Sequence, residues 1–235
     1  MCFKRNRKLT ARFVAEEGCN LILHSRSSGH TDKILSEVRS IGVAACAVAA
    51  DLNYPNAVQE MLNEIDRMGM DVDIVMNNRI TDSLQGRLLS NACGRLSCKF
   101  QCENNSSCND LLSFHASNVR RGSGRILNTT SSISLGVCQA GYSASKAALD
   151  IITIDLGSGV QKTNVIINLT DPGWCRTDLG GDQAPNAPES AIPGIDAGVF
   201  ADDGKSGRYL GTQNFSGMTL ADAVAKAERD FDSPY

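Results

Sequence analysis

Two periodicities alternate along this chain. Stretches with apolar residues three and four apart, as on one face of a helix, are separated by short apolar runs that suit strands. Residues 9–17 carry Leu9 and Phe13 at helical spacing and stop at Gly18. Residues 20–24 form a short apolar run. Residues 32–41 put Ile34, Leu35, Val38 and Ile41 on one face, closed by Gly42, and residues 43–50 return to strand. Val58, Met61, Leu62, Ile65 and Met68 trace a further amphipathic stripe, which reads as core packing rather than a functional methionine cluster. Residues 72–76 are again a strand, ending in Asn77 and Asn78. Further on, residues 124–132 read as a strand that closes in hydroxyl residues, 142–156 as an apolar helix, and 164–169 and 207–210 as strands. Residues 220–229 have helical composition. This β-α alternation predicts an α/β domain with a parallel sheet covered on both faces.

Residues 79–120 hold few apolar anchors, and a helix is expected near 106–120. A Gly- and Pro-containing stretch from 178 to 197 reads as a mobile loop. No internal repeat divides the chain. The expected organisation is one domain over residues 1–235, with a basic segment at 1–8 and a tail at 211–235.

Composition narrows the picture. A chain of 235 residues with 42% hydrophobic and 21% charged residues can bury a full core. A net charge of −3 gives no electrostatic reason to expect nucleic acid as a partner. No apolar run approaches the ~18 residues of a membrane span, so no membrane partner is expected. Lys4, Arg5, Arg7, Lys8 and Arg12 precede no signal-peptide core, which points to the cytoplasm. Cys93, Cys98, Cys102 and Cys108 crowd one region, but they lack the C-x2-C pairs of common zinc sites; reduced thiols are expected, and no metal.

The chemistry begins with Tyr142-Ser-Ala-Ser-Lys146. Residues four apart lie one above the other on a helix. A free phenol has a pKa of about 10, and a fixed positive charge beside it favours phenolate, which suits proton transfer to or from a carbonyl or alcohol. Around this pentad stand Asn128-Thr-Thr-Ser131-Ser132 before it, Asp171-Pro-Gly-Trp-Cys-Arg-Thr177 after it, and the strand-end Asn77-Asn78 upstream. Together, over roughly residues 9 to 210, they resemble the short-chain dehydrogenase/reductase family.

That resemblance implies a Rossmann-like doubly wound parallel sheet and assigns roles. Tyr142 would be the general acid/base, and Lys146 would depress its pKa and hydrogen-bond the nicotinamide ribose. Ser131 would bind the substrate oxygen; Ser132 stays open as the alternative, because the loop to Tyr142 is shorter than usual. Asn104 or Asn105 would complete a proton relay. Asp51 matches the adenine-contacting aspartate. Asn77 matches the first residue of the family's Asn-Asn-Ala-Gly, although this chain continues Arg79-Ile80. Pro172, Gly173 and Thr177 match the segment that holds the nicotinamide carboxamide. Arg26 stands where NAD-dependent members place an acid, so the implied cofactor is NADP(H), its 2′-phosphate paired with the guanidinium.

One part of the family pattern does not appear. Ahead of residues 9–18 there is neither an apolar first strand nor a Thr-Gly-x-x-x-Gly-x-Gly turn. The expectation is therefore a sheet lacking that strand, in which strands 20–24 and 72–76 pair directly or flank a gap, and a weakened cofactor affinity. Arg5, Arg7 and Lys8 offer charge in place of the turn. Such a chain reads as an incomplete gene product, a diverged copy, or a protein completed by a partner. Three functions follow: an NADP(H)-dependent oxidoreductase interconverting a small-molecule carbonyl and secondary alcohol; a non-catalytic or inactive binding or regulatory protein of the same fold; or a 3-oxoacyl-carrier-protein reductase. A homo-oligomer is expected, with the apolar helix 142–156 as one contact surface.

Overall fold

The computed structural model describes residues 4–78, 115–132 and 140–232. The region around Cys93, Cys98, Cys102, Cys108, Asn104 and Asn105 lies outside them. The described residues divide into two compact units, one of residues 4–71 and one of those from Val72 onward.

The first unit runs α1 (Lys4–Glu16), β1 (Leu21–Ser25), α2 (Asp32–Ile41), β2 (Ala45–Ala49) and α3 (Pro55–Arg67). Helix α1 starts five residues earlier than its apolar spacing indicates, since lysine and arginine are themselves good helix formers. Gly18 and Gly42, at φ +86° and +108°, sit where helices α1 and α2 stop, in a left-handed conformation that glycine adopts without strain. Strands β1 and β2 pair in parallel, with Leu21 opposite Ala45 and Ser25 opposite Ala49. Ala11, Ala15, Ile34 and Val38 form the core beneath them. On α3, Val58, Met61, Leu62 and Ile65 are buried, so the methionine-containing stripe is a packing face.

The second unit holds β3 (Ile74–Asn77), β4 (Ser123–Thr129), α4 (Ala140–Ser158), β5 (Asn164–Asp171), α5 (Ile192–Phe200), β6 (Tyr209–Gly211) and α6 (Leu220–Asp230). Residues 115–121, which overlap the end of the expected 106–120 helix, are helical. The four strands are parallel in the order β3-β4-β5-β6. Ile126, Leu127, Ile166, Ile167 and Leu169 in the two central strands are fully buried, as expected when both faces of a parallel sheet are covered. One apolar cluster joins Val75, Ile126, Val165 and Ile167 to Ile152 and Leu156 of α4, while Ala197 and Leu210 pack with Phe215, Ala223 and Ala227.

The α/β architecture and its parallel strands agree with the sequence reading, but two details differ. The strands do not form one doubly wound sheet: among the described residues they fall into a two-stranded and a four-stranded sheet. Within the stretch expected to be a loop up to residue 197, a 3-10 turn at Pro188–Ala191 leads into α5. Helix α5 is buried at nearly every position, so its sequence lacks the polar face that marks a surface helix. No helix among the described residues is long and apolar enough to cross a membrane.

Register sets where chemistry can occur. Asn77 lies opposite Asn128, Thr129 opposite Thr170, and Asp171 opposite Gly211. The carboxyl ends of all four strands therefore line one edge. Close approach fixes α4 over this sheet: a Cβ on Gly157 would lie 2.7 Å from the Gly207 nitrogen and 3.0 Å from its Cα. Gly157→Ala is expected to destabilise by about 1–3 kcal/mol, lowering Tm by roughly 2–10 °C in calorimetry. Helix propensity alone would raise Tm, so a rise would show that the backbones are not in contact.

Candidate active site

In open parallel sheets, ligands bind beyond the carboxyl ends of the strands. The second unit gathers its polar side chains there. Helix α4 carries Tyr142, Lys146 and Asp150 at intervals of four, which puts them one above another on a single face. Lys146 is only 3% exposed, and its Nζ donates to the Thr129 carbonyl, 2.9 Å away, at the end of β4. Tyr142 is half-buried one turn earlier. A buried polar chain anchors this arrangement. Asn77 Nδ2 donates to Asn128 Oδ1 at 2.8 Å, Asn128 Nδ2 to Thr153 Oγ1 at 2.8 Å, and the Thr153 hydroxyl to the Leu149 carbonyl at 2.7 Å. The helix is thereby fixed to β4, and β4 to β3.

A second group centres on Asp171, buried at the end of β5. Its Oδ1 accepts from the Gly173 N–H at 2.9 Å, and its Oδ2 accepts from both the Ser132 hydroxyl at 2.5 Å and the Tyr209 hydroxyl at 2.6 Å. Burial, then the hydrogen bond and charge of Asp171, hold the Tyr209 phenol well above its usual range. The segment that follows is held as well. Pro172 is buried and its carbonyl accepts from Gln213 Nε2 at 2.8 Å; Gly173 takes φ +70°; Thr177 Oγ1 accepts from the Gly180 N–H at 3.3 Å.

Ser131 and Ser132, the two alternatives for the substrate serine, differ. The Ser132 proton is committed to Asp171. Ser131 is half-buried just past β4 and makes no hydrogen bond among the described residues. Asn77 uses its amide on Asn128, within the sheet.

Arg26 and Asp51 belong to the first unit. They follow β1 and β2 at the same edge, since Ser25 pairs with Ala49. Arg26 is exposed, and Asp51 is half-buried with its Oδ1 accepting from the Asn53 N–H at 3.0 Å.

Sequence reasoning missed Asp150, Asp171 and Tyr209. Asp150 had a signal, four residues beyond Lys146 on the same face. Burial raises its pKa to about 6, against the lowering effects of Thr130 and Lys146 and with a further upward push from Asp171. Asp171 and Tyr209 had none, since they are 38 residues apart and meet only through the β5–β6 pairing.

The short chain dehydrogenase family model matches residues 8–187, and the chain belongs to that family. It is 29% identical over 181 residues to a short-chain type dehydrogenase/reductase of Picea abies, a match that covers 71% of this chain and 65% of that protein, under two thirds of its length. Among solved structures, the fold is similar to a 3-oxoacyl (acyl-carrier-protein) reductase of Agrobacterium tumefaciens C58 with NADP bound (TM-score 0.68, 24% identity, 74% of this chain and 67% of that one). It is also similar to an NAD+-bound xylitol dehydrogenase (TM-score 0.68, 18% identity, 93% and 86% covered).

Asp150 generates a pH prediction. Its folded pKa, about 6, lies above the unfolded value. The folded state therefore binds more protons between these values, and stability falls as pH rises through that window. Asp150→Asn removes the penalty. The variant and the parent should melt together near the unfolded carboxylate pKa of about 4. Above the folded pKa the variant should be more stable by about 1 kcal/mol, a partly exposed group receiving less than the full shift. Thermal melts across that range would check this, and an equal offset at all pH values would contradict it.

Proposed function

We propose that this chain is an NADP(H)-dependent oxidoreductase that interconverts a carbonyl and a secondary alcohol. The observation that carries the reading is the burial of the Lys146 ammonium against the end of β4, one helical turn from Tyr142 and beside the hydroxyl end of that strand.

Tyr142 acts as general acid in reduction and general base in oxidation, exchanging one proton with the substrate oxygen. Lys146 supplies a positive charge that stabilises the phenol oxygen while it is short of that proton. Ser131, whose hydroxyl makes no hydrogen bond among the described residues, donates to the same substrate oxygen and aligns it. No side chain supplies hydride; a bound nicotinamide cofactor supplies or accepts it at the substrate carbon.

Each unit carries residues whose chemistry suits a part of such a cofactor. Arg26 is exposed, without an ion pair among the described residues, and stands at the same strand edge as Asp51. A guanidinium there suits the 2′-phosphate of NADP(H), and Asp51 suits the adenine. In the second unit, Lys146 suits the nicotinamide ribose. Pro172, held by Gln213, Gly173, held by Asp171, and Thr177 suit the carboxamide. Asn77 supports the site through the sheet, by way of Asn128.

Titration of the purified chain with NADPH, read by cofactor fluorescence, should saturate. Arg26→Ala should weaken NADPH binding by about tenfold or more, the loss of one charge-assisted pair, and leave NADH binding unchanged. Lys146→Ala should weaken both. Tyr142→Phe should retain binding and lose turnover of ketones by about 10²-fold or more. Absence of saturation at millimolar NADPH and NADH would leave a binding or regulatory protein as the reading, and an undiminished rate in Tyr142→Phe would remove the tyrosine from its role.

A further inference from the structure

The protons around Asp171 can be counted. A serine or tyrosine hydroxyl carries one proton, and a carboxylate carries none to give. Ser132 and Tyr209 both direct theirs onto Asp171 Oδ2, while Oδ1 takes the Gly173 N–H. Asp171 itself is 5% exposed and receives all three donors from the protein. The protons of Ser132, Tyr209 and the Gly173 N–H are therefore all taken by Asp171. What remains are lone pairs on Ser132 Oγ and Tyr209 Oη, which belong to exposed residues. Because the two oxygens share one carboxylate oxygen, they stand no further apart than two short hydrogen bonds allow.

This pair adjoins the proposed proton-transfer helix. Asp171 is close enough to Asp150 for its charge to raise that carboxyl's pKa, and Lys146 is close enough to lower it. The Thr130 N–H donates to the Thr170 carbonyl at 2.8 Å, joining the residue before Ser131 to the residue before Asp171.

We propose that Asp171 turns Ser132 and Tyr209 into a paired hydrogen-bond acceptor, which selects substrates carrying a free hydroxyl beside the reacting carbon. The class is α-hydroxyketones and the corresponding vicinal diols. This rests on the oxidoreductase reading and deepens it. A ketone with only acceptor groups meets acceptors here and gains nothing; a neighbouring hydroxyl donates to Ser132 or Tyr209. The Lys146 ammonium disfavours a second cation nearby, so an uncharged hydroxyl is the fitting donor. Asp171 acts as a positioning residue, through the two hydroxyls whose protons it holds.

The test compares 2-hydroxycyclohexanone with 2-methoxycyclohexanone, which keeps the oxygen but removes its proton. Rates of NADPH oxidation should favour the hydroxyl compound in kcat/KM by about tenfold, the worth of one well-placed hydrogen bond. Asp171→Asn presents a donor in place of an acceptor and releases the Ser132 and Tyr209 protons; it should abolish or invert that preference. Tyr209→Phe removes one acceptor and should reduce it. Ligand-induced change in Tm with trans-cyclohexane-1,2-diol and with its dimethyl ether gives the same comparison without turnover. A selective rise with the diol, lost in Tyr209→Phe, supports the acceptor pair even where no NADPH is oxidised, in which case only the oxidoreductase reading fails. Equal handling of the hydroxyl and methoxy ligands by the unaltered chain, or an unchanged preference in both variants, overturns the proposal.

Discussion

An ammonium removed from water must be compensated, and the second unit is organised around that requirement at Lys146. The cost of burying an unpaired charge exceeds most single interactions in a protein. Here the Thr129 carbonyl accepts one of the ammonium's donors, and the nearby Asp150 carboxyl interacts with its charge. The bond to Thr129 survives only if α4 lies firmly on β4. The Asn77–Asn128–Thr153 chain and the contact of Gly157 with Gly207 supply that fixation, one by hydrogen bonds and one by the absence of a side chain. The proton transfer proposed for Tyr142 would thus be built on interactions about three to four turns further along the helix.

The segment after β5 shows how a loop is given definition. Residues 172–177 belong to no helix or strand and have one isolated backbone bridge, from Cys175 to Asn186. Asp171 fixes the start through the Gly173 N–H, Gln213 fixes the Pro172 carbonyl, and Cys175 Sγ donates back to that same carbonyl. These side-chain bonds add to the backbone bridge that Cys175 makes with Asn186, an arrangement suited to a loop that must meet a ligand in one geometry.

Much of this was legible in the chain. Apolar spacing located α2, α3 and the strands within a few residues, because each buries one face and exposes another. The Tyr-Lys pentad was readable because a helix turns interval into proximity. Helix α5 was not, since burial on all sides removes the contrast on which periodicity depends. Asp171 and Tyr209 belong to the same class of omission. Strand register brings them together, and register is a property of the assembled sheet that neither local sequence carries. Asp150 was visible by interval, but its shifted acidity arises from neighbours on β4 and β5.

The sharing of one carboxylate among Ser132, Gly173 and Tyr209 has an evolutionary consequence. None of Ser132, Tyr209 and Asp171 can change alone without stranding a partner: a residue without a proton at position 132 or 209 leaves the acid short of a donor, and a neutral residue at 171 leaves two hydroxyls redirected. Such positions drift together or not at all. Within this lineage they should behave as one heritable character, and anyone redesigning the pocket would have to exchange them as a block.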